Sequence, residues 1–251
     1  MRYLLSLAAA VLASAALSGC AAMLPAPVPM QSIQSLRPEG RTHKCLLVML
    51  PGRGDHAEDY RTHGFFEALR KRPLSVDAVA ADAVFGYYAR RTLFERLRVD
   101  VVEPARARGY EQVWFLGISM GGLGTLLNAK DQAAGAVTGA ILIAPFVGDE
   151  DVIEEIQKAG GPAAWKPGAI DKDDYQRELW KWLQGALPKD EPRLTLGFGE
   201  QDRLAASHKL LASALPAGRV FRAEGAHDWP TWTRLWNTVL DGSDFATACA
   251  E

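Results

Sequence analysis

Apolar residues in this chain fall into short unbroken blocks, and the stretches between them carry helical periodicity. Leu46–Leu50, Val76–Asp82, Val113–Leu116, Ala140–Ala144 and Arg193–Phe198 read as strands, with Arg219–Arg222 as a shorter one. Blocks that are apolar at successive positions have no polar face, so they suit strands covered on both sides. Helices are predicted near Tyr60–Lys71, from about Leu93 to Gly109, over Gly122–Ala129, from near Ala205, and along a face marked by Trp229, Trp232 and Trp236. Thr92 and Glu95 have the spacing of a capping box, as do Asp55 and Glu58, and Pro104 predicts a kink. Strand and helix alternate throughout. The expected fold class is therefore α/β, a mostly parallel central sheet with helices on both faces.

One stretch breaks the alternation. Residues 148–192 read as a small cap insertion, opening on acidic residues and passing through Gly160-Gly161-Pro162. Its second helix carries Tyr175, Leu179, Trp182 and Leu183 as a packing stripe. Trp180 and Trp165 fall off that stripe and are candidates to face a pocket.

Gly117-Ile118-Ser119-Met120-Gly121 is the strongest chemical signal. It joins a predicted strand to a predicted helix, where a tight turn holds a serine hydroxyl exposed as a nucleophile. Such a serine needs a base, and the base needs an orienting acid. Asp202 follows the strand ending at Phe198, with Glu200 as the rival acid in the same turn. His227 lies in a glycine-rich turn after the last strand and is the candidate base. The oxyanion of an acyl-transfer intermediate needs two backbone N–H donors. Met120 supplies one, and the loop Pro51-Gly52-Arg53-Gly54 after the first central strand supplies the other, with Arg53 the best candidate.

Among the other histidines, His43 and His63 read as surface groups and His208 as a solvated helix residue. His56 is a candidate for the pocket rim, and Trp229, beside His227, for substrate contact. The loops near the site bring Arg53, Asp55, His56 and Asp228, which predicts a shallow, partly polar pocket for short or medium acyl groups.

The elbow, ordered acid, ordered histidine and oxyanion loop together resemble the α/β-hydrolases over roughly Cys45 to Leu240. Gly225-Ala226-His227-Asp228-Trp229-Pro230-Thr231-Trp232 is also similar to the stretch around the catalytic histidine of some esterase-like proteins. The resemblance implies hydrolysis of a small-molecule acyl ester through an acyl-serine, with no cofactor. An acyltransferase, thioesterase or peptidase with the same triad, and a non-catalytic envelope binding protein on this scaffold, are the alternatives.

The chain has 251 residues, room for one such domain, placed at 41–251. Its formal charge of −2 offers no basic field for nucleic acid. There is no zinc-ligand motif or phosphate loop, so no metal or nucleotide is expected. Met1-Arg2-Tyr3 followed by apolar Leu4–Leu17 reads as a signal peptide over 1–19. Leu17-Ser18-Gly19-Cys20 resembles the lipobox of bacterial lipoproteins, which implies a lipid on Cys20 and a membrane anchor. Residues 20–40, with Pro25, Pro27, Pro29 and Pro38, then read as an extended tether. Ala21 in place of an aspartate implies, by the same resemblance, the outer membrane facing the periplasm. In that oxidising compartment Cys45 and Cys249 either pair or stay as separate thiols.

Overall fold

The computed structural model describes residues 24–37, 44–132 and 136–251. The predicted signal peptide, Cys20 and His43 lie outside them. The core is a seven-stranded sheet in the order β1-β3-β2-β4-β5-β6-β7. The strands are β1 (Ser32–Ser35), β2 (Cys45–Leu50), β3 (Val76–Ala81), β4 (Gln112–Ile118), β5 (Gly139–Ile143), β6 (Arg193–Gly199) and β7 (Val220–Ala223). All neighbours pair in parallel except β1, which runs antiparallel to β3.

The continuous apolar blocks are explained by the pleat. Cys45, Leu47 and Met49 of β2, with Trp114, Leu116 and Ile118 of β4, enter one core. Leu46, Val48 and Leu50, with Val113 and Phe115, enter the core on the opposite face. Successive side chains point to opposite faces, so both must be apolar when both are covered.

The helices differ in detail from their sequence pattern. The Tyr60–Lys71 helix is two pieces, α1 (Ala57–Thr62) and α2 (Phe65–Arg70), broken at Gly64 with φ of +74°. A short helix not anticipated from sequence, α3 (Phe85–Ala89), follows β3. The next helical run is α4 (Leu93–Leu97), a π-helical segment Arg98–Val102, and α5 (Glu103–Ala107) with Pro104 in its first turn. The widened segment comes just before the proline, whose ring and missing N–H disturb the helical ladder. Neither capping box forms as predicted. Thr92 makes no side-chain cap, and at α1 the His56 N–H donates to Asp59 at 2.7 Å.

The nucleophile helix is α6 (Met120–Asp131). The insertion forms α7 (Glu150–Lys158) and α8 (Tyr175–Ala186). Its buried stripe is Leu179, Trp180, Leu183 and Ala186, with the Trp180 indole N–H on the Val147 carbonyl at 2.8 Å. Trp165 is buried as well and donates to Glu155. Neither tryptophan lines the cleft beside Ser119. Tyr175, the first residue of α8, is 45% exposed instead. The insertion is thus packed into the core beside Leu123 and Leu126 of α6.

The chain ends with α9 (Ala205–Ala212), α10 (Trp229–Gly242) and α11 (Asp244–Ala248). Cys249 closes a disulfide with Cys45, Cα atoms 5.9 Å apart. The proline-rich segment departs most from expectation. Its described part is strapped to the domain: Met30 is buried, and β1 pairs with β3. The Pro27 and Leu24 carbonyls accept from Tyr87 and Arg90 on and beside α3, each at 2.6 Å.

Candidate active site

The strand order reverses between β2 and β4: the chain goes outward from β2 to β3, then returns across β2 to β4. Loops leaving the C-terminal ends of strands at such a point diverge and open a crevice. Gly52-Arg53 follows β2 and Ser119 follows β4, so both fall there.

Ser119 sits at φ +52°, ψ −114°, a conformation disfavoured for an L-residue. The surroundings over-determine it. Its N–H donates to Ile143 at 3.0 Å, and its carbonyl accepts from Gly122 and Phe146 at 3.0 and 2.9 Å. A Cβ on Gly117 would overlap the Gly121 carbonyl, and one on Gly121 would overlap the Leu50 carbonyl. The two motif glycines therefore permit the turn and the close approach of α6 to the sheet.

Three groups meet in line. His227 Nε2 lies 2.9 Å from Ser119 Oγ, and His227 Nδ1 lies 2.8 Å from Asp202 Oδ2. Since the carboxylate only accepts, Nδ1 carries the proton and Nε2 faces the hydroxyl as acceptor. The second Asp202 oxygen accepts the Leu204 N–H at 2.8 Å. Burial pushes the Asp202 carboxyl upward, but bonds from His227 and Leu204 outweigh it and hold it below its ordinary range. Gln201 N–H donates to the Gly225 carbonyl at 3.1 Å, tying the acid loop to the histidine loop. The rival acid, Glu200, points away toward Lys209 and Arg222.

Met120 opens α6, so its N–H has no carbonyl one turn earlier. Gly52 faces the serine, since a Cβ there would lie 3.6 Å from Ser119 Cβ. Arg53 borders the same cleft, its guanidinium 4.9 Å above the Phe85 ring.

His56 and Trp229 stay outside the cleft. His56 is exposed at the start of α1, its Nδ1 3.1 Å from Asp82. Trp229 stacks on His63 at 4.3 Å, packs edge-on to Tyr60, Phe65 and Trp232, and donates to Asp55 at 3.3 Å. That aromatic nest supports the histidine loop from behind. Asp228 is likewise structural, accepting the Thr231 N–H at the start of α10.

The cleft is partly polar, as expected, but most of its charged residues are not the predicted ones. It measures about 920 Å³, and of the four predicted polar residues only Arg53 lines it. Its floor is one face of α6, Met120, Leu123 and Leu127, ending in the charges of Lys130 and Asp131. Phe85, Tyr88, Phe94 and Phe146 wall it. The α3 aromatics were missed because a five-residue helix gives too little sequence for periodicity to register.

His208 also departs from expectation. It is fully buried, with Nε2 3.0 Å from the Pro145 carbonyl. Its spacing with Leu204 and Leu211 is the signal that places it on an apolar helix face.

No protein-family model matches the sequence, and no curated protein sequence matches it. Solved structures do. The fluorophosphonate-binding serine hydrolase FphF of Staphylococcus aureus is 13% identical, with a TM-score of 0.56 over 86% of this chain and 88% of that one. Est1E from Butyrivibrio proteoclasticus is 19% identical, with a TM-score of 0.54 over 83% and 90%. An arylesterase is 15% identical, with a TM-score of 0.53 over 91% and 89%. The chain has the α/β-hydrolase fold.

Proposed function

We propose that this protein is a serine carboxylesterase acting on small-molecule esters of short or medium acyl groups. The carrying observation is the unbroken hydrogen-bonded line Asp202–His227–Ser119, with Ser119 lining a cleft. Ser119 Oγ attacks the acyl carbon while its proton passes to His227 Nε2. Asp202 stabilises the resulting imidazolium through Nδ1–H. The tetrahedral oxyanion is held by N–H groups of Met120 and Arg53. Collapse breaks the ester C–O bond, and the leaving oxygen takes the proton from Nε2. Water, deprotonated by the same nitrogen, then splits the acyl-serine to release the acid. The serine hydrolases and esterases among the similar folds support the reading. Incubation with a fluorophosphonate probe and a panel of p-nitrophenyl esters tests it. Failure of both labelling and turnover refutes it.

The lipoprotein reading accompanies this one. The apolar run Leu4–Leu17 before Cys20 supports a lipid anchor in the bacterial cell envelope, at the outer membrane on its periplasmic side. Metabolic labelling with a fatty acid tests it: wild type incorporates label and Cys20→Ser does not. Absence of label on the wild type refutes the anchor.

A further inference from the structure

The protein carries a net charge of −2, yet five basic and three acidic side chains border its cleft. The basic groups differ in how they are engaged. Arg91 is paired with Asp173 at 3.3 Å and Lys130 with Glu178 at 3.4 Å. Arg53, Lys172 and Arg203 have no ion-pair partner among the described residues. Of these three, the two arginines adjoin the catalytic line. Arg53 follows Gly52, which faces Ser119, and Arg203 follows Asp202. Since β2 and β6 lie on opposite sides of β4, the two arginines flank the nucleophile from opposite directions.

The nearby carboxylates do not neutralise them. Asp202 is committed to His227 and the Leu204 N–H. Asp55 is turned to the Trp229 indole, and burial pushes its carboxyl upward. Asp149 is engaged by Gln176 at 2.7 Å, while Asp131 lies at the far end of the α6 floor. Arg53 is held over Phe85, which restricts where its guanidinium points. A guanidinium is weakly hydrated and presents a planar fork that fits a carboxylate or phosphate, so it gives up little solvation to bind one.

We propose that the cleft selects esters whose alcohol portion carries an anionic group, gripped by Arg53 and Arg203 beside Ser119. This rests on the serine-esterase reading above and specifies its substrate class. The acyl and alcohol sides are told apart by the floor of the cleft. Met120, Leu123 and Leu127 offer an apolar track for the acyl chain, whereas the unpaired arginines stand at the Ser119 end. The surplus of positive charge also draws an anionic substrate toward the mouth, an effect that salt screens.

The test compares the butyrate ester of 4-hydroxybenzoate with that of 4-hydroxybenzamide, each rate divided by its own hydroxide-catalysed rate. Wild type should favour the anionic ester about tenfold in kcat/KM, a difference of about 1.4 kcal/mol carried mainly by KM. The ratio should fall toward one as salt is raised, and in Arg203→Gln and the Arg53→Gln/Arg203→Gln double variant. A wild-type ratio near one, a ratio indifferent to salt, or a ratio that survives in a folded Arg203→Gln protein overturns the proposal. Fluorophosphonate labelling of Ser119 separates the two failures. Labelling with a ratio near one sinks only the anionic preference. No labelling and no hydrolysis of either ester sinks the esterase reading and this one with it.

Discussion

His208 Nε2 lies 3.0 Å from the carbonyl oxygen of Pro145, across 63 residues of chain. The carbonyl can only accept, so Nε2 carries a proton, and burial keeps the ring neutral near pH 7. Nδ1 has no partner among the described residues. The bond ties α9, which begins just after the acid loop, to the segment behind the nucleophile. In that segment Ala144 has φ +47°, and the Phe146 N–H supports the Ser119 carbonyl.

Burial lowers the His208 pKa from 6.5 to about 4, with the charge of Asp202 opposing and that of His227 adding a little. Between those values the unfolded chain binds a proton that the folded one refuses, so stability rises with pH through that window. The full difference is worth roughly 3 kcal/mol. At neutral pH, His208→Phe leaves the Pro145 carbonyl without its donor and should cost about 1–3 kcal/mol. Near pH 4.5 that gap should close or reverse, because only wild type carries the acid penalty. Urea unfolding at both pH values reads this. An equal cost at both would mean that His208 titrates as an exposed histidine does.

Ser119→Ala should lower turnover by about 10⁴-fold or more without changing stability beyond about 1 kcal/mol. Asp202→Asn should also be severe, since an amide accepts or donates in the wrong place for the Nδ1 proton. Glu200→Gln should be mild, because Glu200 pairs on the surface with Lys209 and Arg222. Steady-state kinetics rank the three. An inactive Glu200→Gln beside an active Asp202→Asn would transfer the acid role.

What could be read from the sequence divides along physical lines. The nucleophile turn was legible because its constraints are local: a strand, two obligatory glycines and a helix within a dozen residues. Asp202 and His227 were legible because each follows a strand that the apolar pattern had already located. His208 was not, because its partner is distant in sequence and a polar residue on a helix reads as solvated. Trp180 and Tyr175 exchanged roles for a related reason. A stripe through 175, 179, 182 and 183 differs from one through 179, 180, 183 and 186 by a small rotation of α8, and only packing against Val147 fixes it. The strap at 24–37 read as a tether because proline-rich composition is all that sequence offers there.

That strap yields a prediction about truncation. Met30 is buried, its N–H donates to Asp100 at 2.8 Å, and the Pro25 carbonyl fills the space where Gly86 lacks a Cβ. A protein spanning 24–251 keeps these contacts, whereas one spanning 31–251 loses them. The shorter protein should be less stable by about 2–4 kcal/mol, from one buried methionine and one or two hydrogen bonds. Its KM should also rise, since Phe85 and Tyr88 of α3 wall the cleft. Thermal melts and ester kinetics on the pair decide. Matching melting temperatures would show the strap to be passive.

The Cys45–Cys249 bond closes a loop across 204 residues of chain. Cross-linking so long a loop restricts the unfolded ensemble, and losing it should cost about 2–5 kcal/mol. The native protein should show neither thiol to Ellman's reagent before denaturant and reductant are both present. The Cys45→Ala/Cys249→Ala variant should unfold at lower urea. Two titratable thiols in the unreduced, unfolded protein would contradict the bond.

Acyl length follows from the floor of the cleft. From Ser119 to Leu127 the helix advances about 12 Å, the length of roughly nine extended methylenes. Along that run Leu123 and Leu127 are apolar, and then Lys130, bridged to Glu178 of α8, and Asp131 close the track with charge. Each methylene laid on it contributes up to about 0.8 kcal/mol, or about fourfold in kcat/KM. An extra methylene pushed against Lys130 and Asp131 gains nothing and strips their hydration. Specificity constants on p-nitrophenyl esters should therefore climb to about eight to ten carbons and then fall. Leu123→Trp fills the track near its start and should move the optimum to shorter acids while sparing acetate. A constant that keeps rising to about sixteen carbons would mean that the chain leaves by another route, and the charged end of α6 would then set no limit.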